Sequence, residues 1–144
     1  MATDAATGRD WARLCALIDD DAELAEAVRT TGDDPWEALI DGLDDAGALA
    51  YLDEEDAGPE LAEALAGLPR VFRAGADLDT VEDIDGDLVA AIVRADAVLA
   101  PHGLRLVHLE EEPDAHPLVA VPIGHVDEII ALAARLGHRA TSFL

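Results

Sequence analysis

Two strand-length segments near the C-terminus constrain the fold more than any other feature of this chain. LRLVHL (104–109) and PLVAVPI (117–123) flank the sequence EEPDA, in which Pro113 and Asp114 are typical turn residues, so the pair predicts a β-hairpin. Both faces of these strands carry apolar side chains, whereas a strand with one face in water alternates apolar and polar residues. We therefore expect helices to cover this sheet.

Helical spacing of apolar residues accounts for most of the remaining chain. The first pattern runs from Trp11 to Val28, and the triplet Asp19–Asp21 leaves open whether it forms one helix or two. Four further helices are predicted from their start and stop residues: one from the cap Asp34 and Pro35 to a left-handed Gly47, then Pro59–Leu68, Gly86–Ala100 and His125–Leu136. Short strands are expected at 48–52 and 139–143, and residues 75–86 are interpreted as loop and turn.

Together these elements predict an α+β fold in one domain, residues 1–144. About five helices would pack on one small mixed four-stranded sheet. The sheet would include the C-terminal β-hairpin and close with a right-handed β-α-β unit. A chain of 144 residues can bury a core large enough to fold without disulfides or a structural metal.

Composition excludes several classes of function. The chain has 32 acidic residues against 9 basic ones, a formal net charge of −23, which argues against binding nucleic acid or an anionic membrane. Lysine is absent, so neither a phosphate-binding loop of the GxxxxGK[ST] kind nor a Schiff-base enzyme is possible. No GxG dinucleotide fingerprint occurs, and no nucleophile elbow surrounds Ser142. These absences lean against an enzyme, and no cofactor is predicted.

The compartment is predicted from weaker signals. The N-terminal residues MATDAATGRD are polar, no apolar run approaches the roughly 20 residues that span a bilayer, and the single cysteine, Cys15, lies on the apolar face of the first predicted helix. We expect a buried, unreactive thiol and a cytoplasmic location without membrane attachment. The sequence does not indicate an oligomeric state.

Two groups of residues are candidate metal ligands. Asp83 and Asp85 imitate two positions of a calcium-binding EF-hand loop, but the first and last ligand positions fall on Val81 and Ile92, which have no carboxylate. His108 and His116 flank the hairpin turn and could approach each other if the register allows it. No HxH, HxxxH or HExxH spacing supports a site, so no metal is predicted. If one binds, its ligands would come from His108, His116, Asp83 and Asp85.

The acidic residues suggest a partner. Carboxylates cluster around one helix end and one strand end, and they comprise Asp41, Asp44, Asp45, Asp53, Glu54, Glu55 and Asp56. Such a surface can steer a basic protein into contact, as inhibitors and immunity proteins do with basic nucleases. The expected function is therefore a non-enzymatic domain that binds a basic protein. A divalent-metal-dependent enzyme or sensor is the first alternative. The second alternative is that the acidity reflects only salt adaptation or codon bias.

Three segments carry a resemblance to a known family. They are DPWEALIDGLDDAGALAYLDEED, LPRVFRAGADL and LVAVPIGHVDEIIALAARLGH, and they cover most of the chain. The sequence resembles a family of small bacterial proteins catalogued only as a domain of unknown function. The resemblance implies a soluble bacterial α+β domain and brings no catalytic residues to transfer.

Overall fold

The computed structural model describes residues 2–18, 24, 26, 28, 35–53, 55–84, 88–110 and 115–142. Its helices are α1 (Ala2–Ile18), α2 (Pro35–Asp45), α3 (Gly58–Ala66), α4 (Pro69–Ala74), α5 (Asp79–Glu82), α6 (Leu88–Leu99) and α7 (Val126–Arg135). Its strands are β1 (Ala50–Asp53), β2 (Leu104–Leu109), β3 (Ala115–Pro122) and β4 (Ala140–Ser142). The predicted α+β class is confirmed.

The sheet has the order β1-β3-β2-β4, and every described neighbouring pair is antiparallel. The predicted hairpin is confirmed, with His108 opposite Leu118 in the β2–β3 register. The expected mixed sheet is not what forms. Helix α7 connects β3 to β4, and these two strands run in the same direction. Because β2 lies between them, they are not hydrogen-bonded to each other as a parallel pair.

Helices cover both faces of the sheet, as the two-sided apolar strands predicted. Val107, Leu109, Val119 and Val121 face one hydrophobic cluster, which α1, α2 and α7 complete. Leu104, Leu106, Leu118 and Ala120 face the other cluster, which α3 to α6 complete. Alternate residues of the same strands thus enter two different cores, because successive side chains of a strand point to opposite faces.

Several helix boundaries differ from the sequence prediction. Helix α1 begins at Ala2, well before Trp11. Helix α3 ends at Ala66, and Pro69, which was expected to close it, begins the separate helix α4. Proline is favoured at the first helical position because its missing N–H has no partner to lose there. The predicted loop 75–86 contains the one-turn helix α5. The triplet Asp19–Asp21 and the predicted cap Asp34 lie outside the described residues, whereas Gly47 has the left-handed φ of 71° that its cap role requires.

A buried carboxylate also bonds to the backbone of the sheet. It meets β2 next to Val107–Leu109, the residues that pair with β4. There Leu106 donates its backbone N–H to Asp96 Oδ1 at 3.0 Å, and Arg105 Nη1 lies 2.6 Å from Asp96 Oδ2. Asp96 is only 2% exposed. Helix α6 therefore supplies a side-chain acceptor to a backbone N–H of the sheet.

Candidate functional site

The predicted acidic face falls into two groups at opposite ends of β1. Asp41, Asp44 and Asp45 are exposed at the C-terminal end of α2, before the strand. Asp53 and Glu55 are exposed and Asp56 is half-buried after it, and Glu54 lies outside the described residues. Since β1 has four residues, its ends are roughly 10 Å apart.

The carboxylates after β1 accept hydrogen bonds from backbone N–H groups of the same turn. Asp53 donates its N–H to Asp56 Oδ2 at 2.9 Å, and Glu55 donates its N–H to Asp53 Oδ1 at 3.1 Å. These bonds shape the turn that ends an edge strand, and side chains that occupy edge N–H groups discourage pairing with another chain. At least two of these carboxylates therefore have a structural role.

The group on α2 opposes helix stability. Asp44 and Asp45 lie in the last turn, where the helix dipole is negative, and no basic residue accompanies them there. Asp41 adds like-charge neighbours at three- and four-residue spacing, which destabilise a helix by roughly 0.2–0.5 kcal/mol per pair. Solubility or recognition explains these charges better than local stability does.

A concave acidic surface lies elsewhere, between α3 and the segment that leads into α5. This acidic groove has a volume of about 510 Å³. Its lining consists of small or apolar residues and of carboxylates, namely Pro59, Ala62, Ala66, Ala76 and Leu78 with Glu63, Asp77, Asp79 and Glu82. Among the described residues that line the groove, none is an arginine or a histidine. The groove thus combines apolar contact area with several carboxylates.

The two helices that line the groove approach each other very closely at a glycine. A Cβ atom at Gly58 would lie 2.3 Å from the Val81 carbonyl oxygen, a distance that real Cβ atoms do not tolerate. Beside it, Leu61 and Val81 are fully buried in the shared cluster. Asp77 Oδ1 accepts the N–H of Asp79 at 3.0 Å and so orders the start of α5.

His108 and His116 lie on one face of the central hairpin, with ring centroids 5.3 Å apart and planes inclined at 34°. The Nε2 atom of His108 is buried and has no hydrogen-bond partner among the described residues. Burial lowers the pKa of His108, and the charge of His116 lowers it further. A hydrogen bond to the Ala115 backbone and the nearby Glu110 act in the opposite direction. The register thus brings the two histidines together.

The two aspartates considered with them do not complete a metal site. Asp83 is exposed directly after α5, and Asp85 lies outside the described residues. In the part of the chain that the structure describes, no group of three or more histidine, cysteine, aspartate or glutamate side chains is arranged to hold a metal ion. Cys15 is 1% exposed in the core, as predicted.

Other cationic and aromatic side chains have packing roles. The His138 ring stacks on Trp36 with centroids 4.5 Å apart and planes 4° from parallel. Arg70 Nη1 donates to the Ile18 carbonyl at 2.7 Å, and His125 Nδ1 lies 3.1 Å from the Leu17 carbonyl oxygen. Both groups meet the C-terminal end of α1, where the helix dipole favours positive charge. Sequence patterns did not reveal these contacts, since each joins distant segments.

Comparisons with known proteins give a family and no activity. A family model described as Domain of unknown function (DUF6630) matches residues 5–143. Neither the curated proteins nor the solved structures contain a significant match to the chain. Within the described residues, every helix is too short or too polar to cross a membrane.

Proposed function

We propose, for a chain that belongs to the family described as Domain of unknown function (DUF6630), that it is a non-enzymatic domain binding a basic segment of a partner protein. The acidic groove between α3 and α5 is the binding surface in this proposal. The observation that supports it is the lining of the groove, in which the described residues include four carboxylates and several apolar side chains but no basic one.

The chemistry of the groove favours arginine or lysine side chains flanked by apolar residues. The long apolar stems of these side chains would pack on Ala62, Ala66 and Leu78, while their charged ends would reach the carboxylates. Charge of this kind acts mainly on association, because an exposed carboxylate attracts a basic partner over about one Debye length. The net charge of −23 strengthens the same field over longer distances at low salt.

We further place this binding in a bacterial cytoplasm. A single cysteine buried in the core requires no oxidising compartment. The role of an inhibitor or immunity-like protein, which covers a basic surface of its target, matches this combination of charge and groove.

Two variants with the same net charge test the groove against charge in general. The groove variant carries Glu63→Gln, Asp79→Asn and Glu82→Gln, all at exposed positions. The control variant carries Asp41→Asn, Asp44→Asn and Asp45→Asn on α2, and so also loses three charges. The wild-type chain and each variant are immobilised on a resin and incubated with a native lysate. The proteins that each one retains are then compared quantitatively.

The proposal requires a basic protein that the wild-type chain and the α2 variant recover and the groove variant recovers poorly. With the purified partner, we expect the groove variant to associate roughly 3- to 10-fold more slowly at low salt, and the α2 variant to change much less. Equal slowing by both variants would show that net charge alone is responsible. Recovery of no partner by any of the three chains would contradict the proposal and leave the acidity to solubility or salt adaptation.

A further inference from the structure

The positions of His108 and His116 are set by the two central strands of the sheet. His108 stands opposite Leu118 on β3, and His116 stands opposite Leu52 on β1. The two histidines are therefore diagonal neighbours on the face that carries Leu106 and Leu118. Since β2 and β3 each have a neighbour on both sides, the backbone holds this arrangement rigidly.

The His108 ring presents an unused acceptor. Its Nε2 atom is buried and has no hydrogen-bond partner among the described residues. In a neutral imidazole one ring nitrogen donates a hydrogen and the other carries a lone pair that can bind a metal ion. Without a ligand, the buried nitrogen without a hydrogen bond destabilises the folded chain.

The separation of the two rings suits a shared ion. Zinc–nitrogen bonds of about 2.0–2.1 Å at a tetrahedral angle place two ligating imidazole centres roughly 5 Å apart. The observed separation is 5.3 Å. Glu110 lies near enough to act on the charge of His108, and the strongly acidic chain as a whole attracts cations.

We infer that His108 and His116 form a binding site for one divalent transition-metal ion of the kind that imidazole ligands prefer, such as Zn²⁺. Imidazole nitrogen selects zinc, copper or nickel over magnesium and calcium, whose preferred ligands are oxygens. Two protein ligands leave positions on the ion for water or for another molecule, so the site is open and not a structural zinc site. This inference is independent of the proposed binding function and of the acidic groove.

Calorimetric titration of the chelator-treated full chain with zinc chloride tests the site. Magnesium chloride is present in excess, so that the many surface carboxylates are occupied by an oxygen-seeking ion. We expect one equivalent of Zn²⁺ to bind to the wild-type chain. His108→Asn and His116→Asn should each weaken that binding by at least about tenfold. The matched control is His102→Asn, which removes an exposed imidazole beyond the other end of β2.

Nuclear magnetic resonance of the imidazoles provides a second readout that does not depend on variants that fold. Zinc should shift the ring resonances of His108 and His116 and leave those of His102 and His138 unchanged. Unaltered zinc affinity in both pair variants would overturn the inference, since carboxylates would then be the ligands. Absence of stoichiometric binding to the wild-type chain, with all imidazole resonances unchanged, would overturn it equally.

Discussion

Replacement of Asp96 by alanine tests how much the buried carboxylate stabilises the contact between α6 and β2. The change removes the acceptor of the Leu106 N–H and the charge partner of Arg105, whose Nε is already buried without a partner among the described residues. Breaking a buried ion pair by deleting one partner costs about 3–5 kcal/mol. The Arg105 side chain is 22% exposed and regains some hydration, so we expect the lower end, about 3 kcal/mol.

Urea unfolding measures this loss directly, because the midpoint shifts while the slope stays constant if only the native state has changed. The same loss should lower Tm by about 9 °C, at about 3 °C per kcal/mol for a chain of this size. Asp96→Asn retains an oxygen for the Leu106 N–H and loses only the ion pair. We expect it to cost about half as much.

The control is Asp44→Ala, which also removes one negative charge but from an exposed position at the end of α2. It should change the free energy of unfolding by less than about 0.5 kcal/mol. A loss below about 1 kcal/mol for Asp96→Ala would refute the reasoning, because the Leu106 N–H would then be satisfied by water and the carboxylate would not be needed.

Three further predictions concern packing and charge. Gly58→Ala should destabilise the chain by about 1–3 kcal/mol in urea unfolding, because its Cβ would lie 2.3 Å from the Val81 carbonyl oxygen. The control Gly67→Ala, whose Cβ would have its nearest contact at 3.6 Å, should be tolerated, and equal losses in the two variants would refute the close-packing argument. The pKa of Glu128 should lie below its ordinary 4.5, mainly because Arg13 donates a hydrogen bond to it, so its stabilising contribution is present above that pH and disappears as the pH falls through the lowered pKa. Arg13→Gln should raise this pKa in a carbon-detected titration, and an unchanged value would contradict the assignment. Tm should rise between about 10 mM and about 1 M sodium chloride, because salt screens repulsion among the carboxylates, and an unchanged or lower Tm would show that repulsion is unimportant.

Sequence patterns were sufficient wherever the cause of a structure is local. Apolar spacing and a starting proline located α2 between Pro35 and Asp45, and the two apolar segments with their turn located β2 and β3. Helix periodicity, capping and hairpin turns depend on residues within a few positions of one another, and these are visible in a single sequence. The two-sided cover of the sheet followed from the same strands.

The candidate sites were only partly foreseeable. Whether His108 and His116 lie close together depends on the register of the β2–β3 hairpin. In the folded sheet, the pairing of Leu118 with His108 fixes that register. The acidic groove had no sequence signal, because Glu63 and Asp79 lie on two helices that come together only in the folded chain. A cluster of charges in sequence order, such as Asp41 to Asp56, does not indicate whether those residues form a concave surface.

By itself, the sequence determined α2, α3, α6 and α7, the hairpin and the two-sided burial of the strands, since each follows from local spacing and hydrophobicity. Only the tertiary structure decided the order β1-β3-β2-β4, in which β2 separates β3 from β4 and no parallel pair forms. It also decided that Asp96, which the helical pattern leaves as one more polar residue, enters the core to bind Leu106. The physical reason is that strand order and side-chain partners depend on contacts between distant segments, whose free energy exists only once both segments are in place.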